Sequence, residues 1–463
     1  MAGPIELKPW IERLLAAVKF KEFKLPQGVP GNIDEAVRWA EEETGRLREE
    51  VKGLEGGWES LRREFAAKAG SLEAAITYSL DLSSAQSHLL RSEMMTVLQG
   101  WVPEDRIKDL NAFLERLNKD VGGSIAFSYE EPLPDEKVPT VMKNPKLFRA
   151  YEALTRQYGY PDPRESDPTI VSTILWITMF GIMFPDFGEG LVILGLGVLF
   201  AYVLKKPLMG INFVRVGRLM IGLGISAIIF GLLVGEFFLM EVHPLWPGLM
   251  PAWAKNPSSV IWLIKIAIFF GIAQIILALI MNIRNHLKVG ERMEALLGER
   301  GLAGLVTFIG IVIVAFEFLG ISILPGVAFP ELGLSVIRHW TIAIPIVGLI
   351  AIAVKPILTG EGATMSLGVL IETIISFFAN MLSYARIAGF CLAHAAFALV
   401  VAELLHSNPA LGIGLGLIFL NAFALTLELM VVMIQALRLL FYEFSTKFFK
   451  GTGAPYAPYR IRV

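Results

Sequence analysis

Eight apolar runs limit what this chain can fold into more than any other feature: about 169–185, 190–204, 213–237, 258–282, 301–324, 339–355, 364–405 and 410–449. A helix needs roughly 20 apolar residues to cross a hydrocarbon layer ~30 Å thick. Only helices and closed barrels satisfy their own backbone there. The charges divide the chain in the same place. Residues 168–463 hold 18 Lys/Arg and 14 Asp/Glu, which leaves 52 of the 84 charged residues in the first 167. The expected architecture is mainly α: a cytoplasmic arm, 1–167, and a membrane domain, 168–463, with eight transmembrane helices and a short cytoplasmic tail.

Loop charges test that count through the positive-inside rule. Loops expected inside carry Lys205, Lys206, Arg215, Arg218, Arg284, Lys288, Arg292, Arg300 and Lys355, and the tail adds Lys447, Lys450, Arg460 and Arg462. Those expected outside carry only Lys255 and Arg338. Both termini are therefore expected in the cytoplasm. The start, MAGPIELKPWIERLL, lacks the apolar core of a signal peptide. A net charge of −2 without a basic patch gives no sign of nucleic-acid binding. Cys391 is the only cysteine, so a disulfide within the chain is excluded. No metal site and no cofactor are expected.

Within the arm, Val37, Thr44, Val51, Trp58, Phe65 and Leu72 recur every seven residues, and Ala40, Leu47, Leu54 and Leu61 fill the complementary offset. This predicts a coiled-coil helix over about 34–80, weakened at Gly56-Gly57 and Lys68. One long amphipathic helix on a globular core is the alternative. Next, MMTVLQGWVP reads as a strand, PEDRIKDLNAFLERLNK as a helix and GGSIAFSYEE as a second strand, a small α/β lobe over about 90–130. The proline-rich residues 131–167 read as a linker.

The last two apolar segments run ~40 residues each without internal proline, about 60 Å as helix. A strongly tilted helix fits each better than a hairpin, because no turn signal interrupts either. They also carry polar residues. The seventh holds Glu372, Asn380, Ser383, Arg386, His394 and Glu403; at 100° per residue, Glu372 and Arg386 point within about 40° of each other. In the eighth, Asn421, Glu428, Gln435 and Tyr442 repeat every seven residues, with Arg438 beside Gln435. Ionisable groups inside spans usually face a charged partner or a watery path. Arg386 alternatively pairs with Glu372 or Glu428 as packing glue, and a structural hydrogen bond suits His394, Glu403 and Glu317 equally well. Asp186 and Glu189 are expected at an outer hairpin, and Glu236 and Lys265 at outer helix ends, snorkelling or paired. Gly231 with Gly235, and Gly217, Gly222 and Gly224, suit close helix packing.

Several stretches resemble the membrane-embedded subunit I (subunit a) of archaeal and vacuolar-type rotary ATPases. They are TVLQGWVPEDRIKDL, VMKNPKLFRAYEALTRQYGYPDPRESDPT, FGIMFPDFGEG, ETIISFFANMLSYARIAGFCLAHA and LELMVVMIQALRLLFYEFSTKFFKGTG, spread over about 90–463. By that resemblance the last two helices wrap a proteolipid rotor ring of c/K-type subunits. Arg386 is then the essential arginine of ion translocation, Arg438 the second, Glu428 a half-channel carboxylate and Gln435 a polar position between them. Glu372, Ser383 and His394 fall on family polar positions, and Asp186 on the family's FGDxGxG hairpin, where Pro185 replaces the usual glycine. Asn421 and Glu403 are possible accessory residues. The resemblance further implies central-stalk cap and peripheral-stalk partners and a multi-pass place in a membrane, the prokaryotic plasma membrane before a vacuolar one. It also implies an arm with two α/β lobes and a two-helix coiled coil, more than the 167 residues preceding the first span supply.

The function expected is a non-catalytic stator half-channel subunit that moves H⁺ or Na⁺ to and from ring carboxylates and couples that flow to ATP hydrolysis or synthesis. No P-loop GxxxxGK[ST] occurs, so no nucleotide site is expected in the chain. At ~4 Å an arginine attracts a carboxylate by ~4 kcal/mol at an effective dielectric of 20, enough to favour its ionised form reversibly. A self-contained secondary ion transporter or channel, and a membrane scaffold for a cytoplasmic complex, are the alternatives.

Overall fold

The computed structural model describes residues 7–17, 28–133, 136–204, 212–242, 257–319, 339–360 and 362–458. Lys205, Lys206, Lys255, Arg338, Arg460 and Arg462 of the loop-charge count lie outside them. The described chain is mainly helical and forms two compact units, one ending at Gly100 and the other spanning Trp101–Ala457.

The first unit consists of α1 (Lys8–Ala17), α2 (Ile33–Ser87) and a two-residue hairpin, β1 (Leu90–Arg91) with β2 (Thr96–Val97). Asn32 caps α2 by accepting from the Asp34 amide at 3.3 Å, and Asp34 and Glu35 complement the positive N-terminus. Helix α2 runs unbroken through Gly56-Gly57, and its seam residues Val37, Leu47, Val51, Leu54, Trp58, Leu61, Phe65 and Leu72 are exposed.

Over the stretch expected as an α/β lobe, little strand forms. Of MMTVLQGWVP only Thr96–Val97 enters a ladder, and GGSIAFSYEE has no regular backbone structure. A strand persists only where a neighbour takes its backbone groups, and a ladder this short offers little edge. The intervening helix forms as α3 (Ile107–Asp120) after a 3₁₀ turn begun by Pro103. Residues 131–167 carry short regular elements. Strand β3 (Pro139–Thr140), helix α4 (Glu152–Tyr158) and the residues around them are tied to the membrane unit. The Ser166 amide donates to Asn285 Oδ1 at 3.0 Å, and Asn285 Nδ2 donates to the Phe448 carbonyl at 3.1 Å.

The rest of the second unit is a helical assembly: α5 (Thr169–Met183), α6 (Phe187–Val198, extended by a π-turn over Leu199–Val203) and α7 (Phe213–Val234). After the hairpin β4 (Glu236–Phe237) and β5 (Met240–Glu241) come α8 (Pro257–Val289), α9 (Arg292–Leu297), α10 (Leu302–Leu319) and α11 (His339–Leu358). Then follow α12 (Ala363–Ser383), α13 (Ala385–Ser407) and α14, a mixed α- and π-helical rod over Pro409–Lys447. Strand β6 (Ala454–Pro455) closes the chain by pairing parallel to β3.

Among the described residues six helical stretches are long and apolar enough to cross a membrane: Phe213–Val234, Leu263–Val289, Arg292–Phe318, Thr341–Leu358, Ala363–Ser407 and Pro409–Lys447. The first two of the eight apolar runs form shorter helices, Thr169–Met183 and Phe187–Val203. Neither of the two longest runs is a hairpin. Helices α12 and α13 meet at Tyr384, a single tightened turn whose buried side chain packs against Gly271.

Small residues set the close approaches. A Cβ on Gly217, Gly224 or Gly231 of α7 would overlap the backbone of α6, at Ala201, Leu194 and Phe187 respectively. Gly235 acts through its conformation instead. With φ +84° it ends α7 in the left-handed region, where a side chain costs ~1–2 kcal/mol. Trp176, Phe180, Phe184, Leu223, Phe308, Tyr384, Ile387, Val432 and Leu439 share one buried cluster that joins α5, α7, α10, α13 and α14.

Candidate functional site: two polar clusters between the last helices

Helices α13 and α14 run antiparallel and carry two polar contacts in one register. Arg386 Nη1 donates to Gln435 Oε1 at 3.4 Å, and His394 Nδ1 lies 3.1 Å from Glu428 Oε2. Eight residues along α13 match seven along α14, so the contacts are about 11–12 Å apart along the helices. Alternation of α- and π-turns over Gly412–Phe444 winds α14 more loosely than a plain α-helix.

The arginine contact lies on a half-open face. Arg386 is partly buried and Arg438 exposed. The pairing of Arg386 with Glu372 or Glu428 is not what forms. Glu372 is exposed on α12, and the tightened turn at Tyr384 intervenes, so an unbroken 100° step does not carry from one residue to the other. Ser383 donates back to the Ala379 carbonyl at 3.0 Å, a local bond within α12. Glu403 is exposed near the end of α13. Glu317 follows the structural alternative, accepting the Thr341 hydroxyl at 2.8 Å.

The histidine contact belongs to a closed cluster. His394 is 0% exposed, Asp186 0%, Glu189 1%, Glu236 4% and Glu428 9%. Glu236 Oε1 is 3.6 Å from His394 Nε2, on the opposite side of the ring from Glu428, and Phe184 covers the ring at 4.9 Å between centroids. Glu236 follows the paired alternative, and Asp186 and Glu189, at the turn between α5 and α6, are buried rather than open to solvent. Four carboxylates converge on one imidazole.

Local folding explains the convergence. Asp186 Oδ1 accepts the Glu189 amide at 2.8 Å, which caps α6. The same carboxylate accepts the Phe238 amide at 3.0 Å and the Leu239 amide at 2.8 Å. Both amides belong to the two-residue turn of the β4–β5 hairpin, where Phe238 and Leu239 have φ of 49° and 58°. A tight hairpin demands two positive φ values, normally supplied by Asn-Gly. Here the bonds to Asp186 and the burial of Leu239 against Ala398, Val401 and Ala424 hold non-glycine residues there. Asn421 Nδ2 donates to the Phe238 carbonyl at 3.2 Å and ties the same turn to α14. Asp186 and Asn421 therefore build the frame that sets Glu236 against His394. Sequence reasoning misses Glu189 and Glu236 as site residues: GEFFLMEV contains no turn dipeptide, so the run reads as helix through residue 237.

A polytopic helical membrane protein with a buried acid–imidazole cluster and an arginine on its last two long helices is the class this geometry defines. Residues 73–246 match the V-type ATPase 116 kDa subunit family. The chain is also similar over most of its length to archaeal A-type ATP synthase subunits I. The Methanocaldococcus jannaschii subunit is 24% identical over 98% of this chain, the Pyrococcus abyssi one 26% over 97%, and the Pyrococcus horikoshii one 27% over 81%. The matches cover 68%, 66% and 55% of those relatives' own lengths.

Proposed function

We propose that the chain is a stator half-channel subunit of a V/A-type rotary ATPase. In this reading it passes H⁺ or Na⁺ to and from carboxylates on a rotating proteolipid ring and couples that flow to ATP hydrolysis or synthesis elsewhere in the complex. The observation that carries it is the pair of contacts on α13 and α14: a half-open arginine held by Gln435, and two helical turns away a buried histidine among four carboxylates. The arginine is permanently charged. Facing a partner's carboxylate across a membrane interface, it favours the ionised form and separates two half-paths. The cluster supplies groups that take and release a proton at the end of one half-path.

The 45-residue stretch Ala363–Ser407 is about 67 Å long at 1.5 Å per residue, twice the hydrocarbon thickness, so it lies steeply inclined. Inclination suits helices that follow the flank of a ring. The proposed partners are the ring, the central-stalk cap and the peripheral stalks, and the proposed setting is a prokaryotic plasma membrane with both termini cytoplasmic.

The test is ATP-driven acidification of vesicles holding the assembled complex. Arg386→Ala is expected to reduce pumping to background, and Arg386→Lys by at least about tenfold, because a lysine point charge does not reproduce the planar fork that reaches Gln435. Wild-type pumping in both variants would overturn the assignment. Failure of the solubilised chain to co-purify with a proteolipid would overturn the partner.

A further inference from the structure

The buried cluster has more metal-ligating atoms than the protein gives partners. Among the described residues, both Glu189 carboxylate oxygens, Glu236 Oε1, Glu428 Oε1 and His394 Nε2 are buried with no hydrogen-bond partner. Leaving one such group unmet costs about 1–3 kcal/mol. Five gathered in one place, on side chains that are nine-tenths buried or more, call for a common partner.

Their arrangement says what kind. One ligand atom from each of Asp186, Glu189 and His394 lies within 4.8 Å of the other two. Ligands at ~2.0–2.2 Å from a tetrahedral zinc ion stand about 3.3–3.6 Å apart, so small side-chain rotations close the set. Glu236 Oε1 already stands 3.6 Å from His394 Nε2. The other ring nitrogen meets Glu428, and a carboxylate on Nδ1–H leaves Nε2 as the lone-pair donor, the arrangement that orients metal-binding histidines.

We propose that Asp186, Glu189 and His394 form a binding site for a divalent transition-metal ion of the zinc class, with Glu428 as the residue that orients His394. An imidazole with a few carboxylates selects such an ion over Mg²⁺ or Ca²⁺, which take mainly oxygen ligands. Two positive charges also offset carboxylates that the membrane interior would otherwise leave unpaired. Asp186 retains one lone-pair direction after accepting three backbone amides, so it joins the ion without releasing the β4–β5 turn. Access is short, because the cluster lies where α5 ends, α6 begins and α7 ends, behind a single hairpin. An ion held here and a proton taken up by His394 are alternative occupants of the same groups, so the test measures bound metal directly rather than pumping.

Equilibrium dialysis of the full chain in detergent against micromolar Zn²⁺, with bound metal counted by mass spectrometry, should find one ion per chain. His394→Gln and Glu189→Gln should lose it, and Glu428→Ala should weaken retention about 10- to 100-fold. His286→Ala should leave the tight ion in place, because His286 pairs with Glu291 elsewhere on the surface. Pulsed electron paramagnetic resonance of Cu²⁺ on the unaltered chain needs no variant to fold; it should show modulation from one coordinated imidazole. No ion retained by the unaltered chain, undiminished retention in His394→Gln, or a Cu²⁺ signal without imidazole nitrogen would each overturn the site and leave the cluster to protons.

Discussion

Asp186 illustrates how much one side chain can organise. Its carboxylate caps a helix and clamps a strained turn in the same three bonds. Losing a cap costs ~1 kcal/mol, and hydrogen bonds to a charged group add ~1.5–3 kcal/mol. Asp186→Ala should therefore destabilise the chain by about 3 kcal/mol, with Asp186→Asn intermediate, as a lowered midpoint in thermal unfolding of the solubilised protein. An unchanged midpoint in the alanine variant would show that Leu239 burial alone holds the turn. Arg386 behaves differently. Its hydrogen bond to Gln435 is long and half-exposed, so Gln435→Ala should shift the thermal midpoint little while slowing ATP-driven acidification by the complex. Equal loss of stability and pumping would mark Gln435 as packing only.

Among the elements, the α6–α7 pair depends on glycine. Gly224 and Gly231 let the two backbones touch, so Gly231→Leu should force them apart at a cost of about 3 kcal/mol or more, visible as a lowered thermal midpoint. Helix α2 offers the opposite case. Gly56 stands in a helix interior with open space where a Cβ would go. Gly56→Ala should stabilise that stretch by about 0.5–1 kcal/mol, read as slower hydrogen exchange over residues 50–62. Unchanged exchange there would argue that another element already holds the helix. The heptad pattern foretells this helix correctly, since periodicity is local. It does not reveal whether a second helix covers the seam, because that depends on a surface outside the pattern.

For the membrane unit as a whole, the proline-rich segment before the first span is bonded into the framework. Asn285 joins Ser166 to Phe448, β3 pairs with β6, and Arg300 Nη1 donates to the Thr446 carbonyl at 2.7 Å. Asn285→Ala removes both bonds and should raise hydrogen exchange over residues 160–167 and 444–456 together. Faster exchange in only one of the two segments would mean that they are held independently. Proline content makes this stretch look extended and loose. Its bonds to Asn285 and to β6 come from residues more than a hundred positions away, which composition does not encode.

The sequence alone determined the helical membrane character, the long last two helices, and the polar residues that distinguish them. Hydrophobic length and seven-residue spacing are properties of neighbouring positions. Glu428 and Gln435 were legible because two turns separate them on one helix, and Arg386 because a charge inside an apolar run is conspicuous. Only the tertiary structure decided which of these residues meet. It replaced Glu372 by Gln435 as the partner of Arg386, and it set Glu189 and Glu236 beside His394. The physical reason is that a carboxylate's cost depends on what surrounds it. Those surroundings are set by a hairpin with no turn signature and by glycines that let distant helices close on one another.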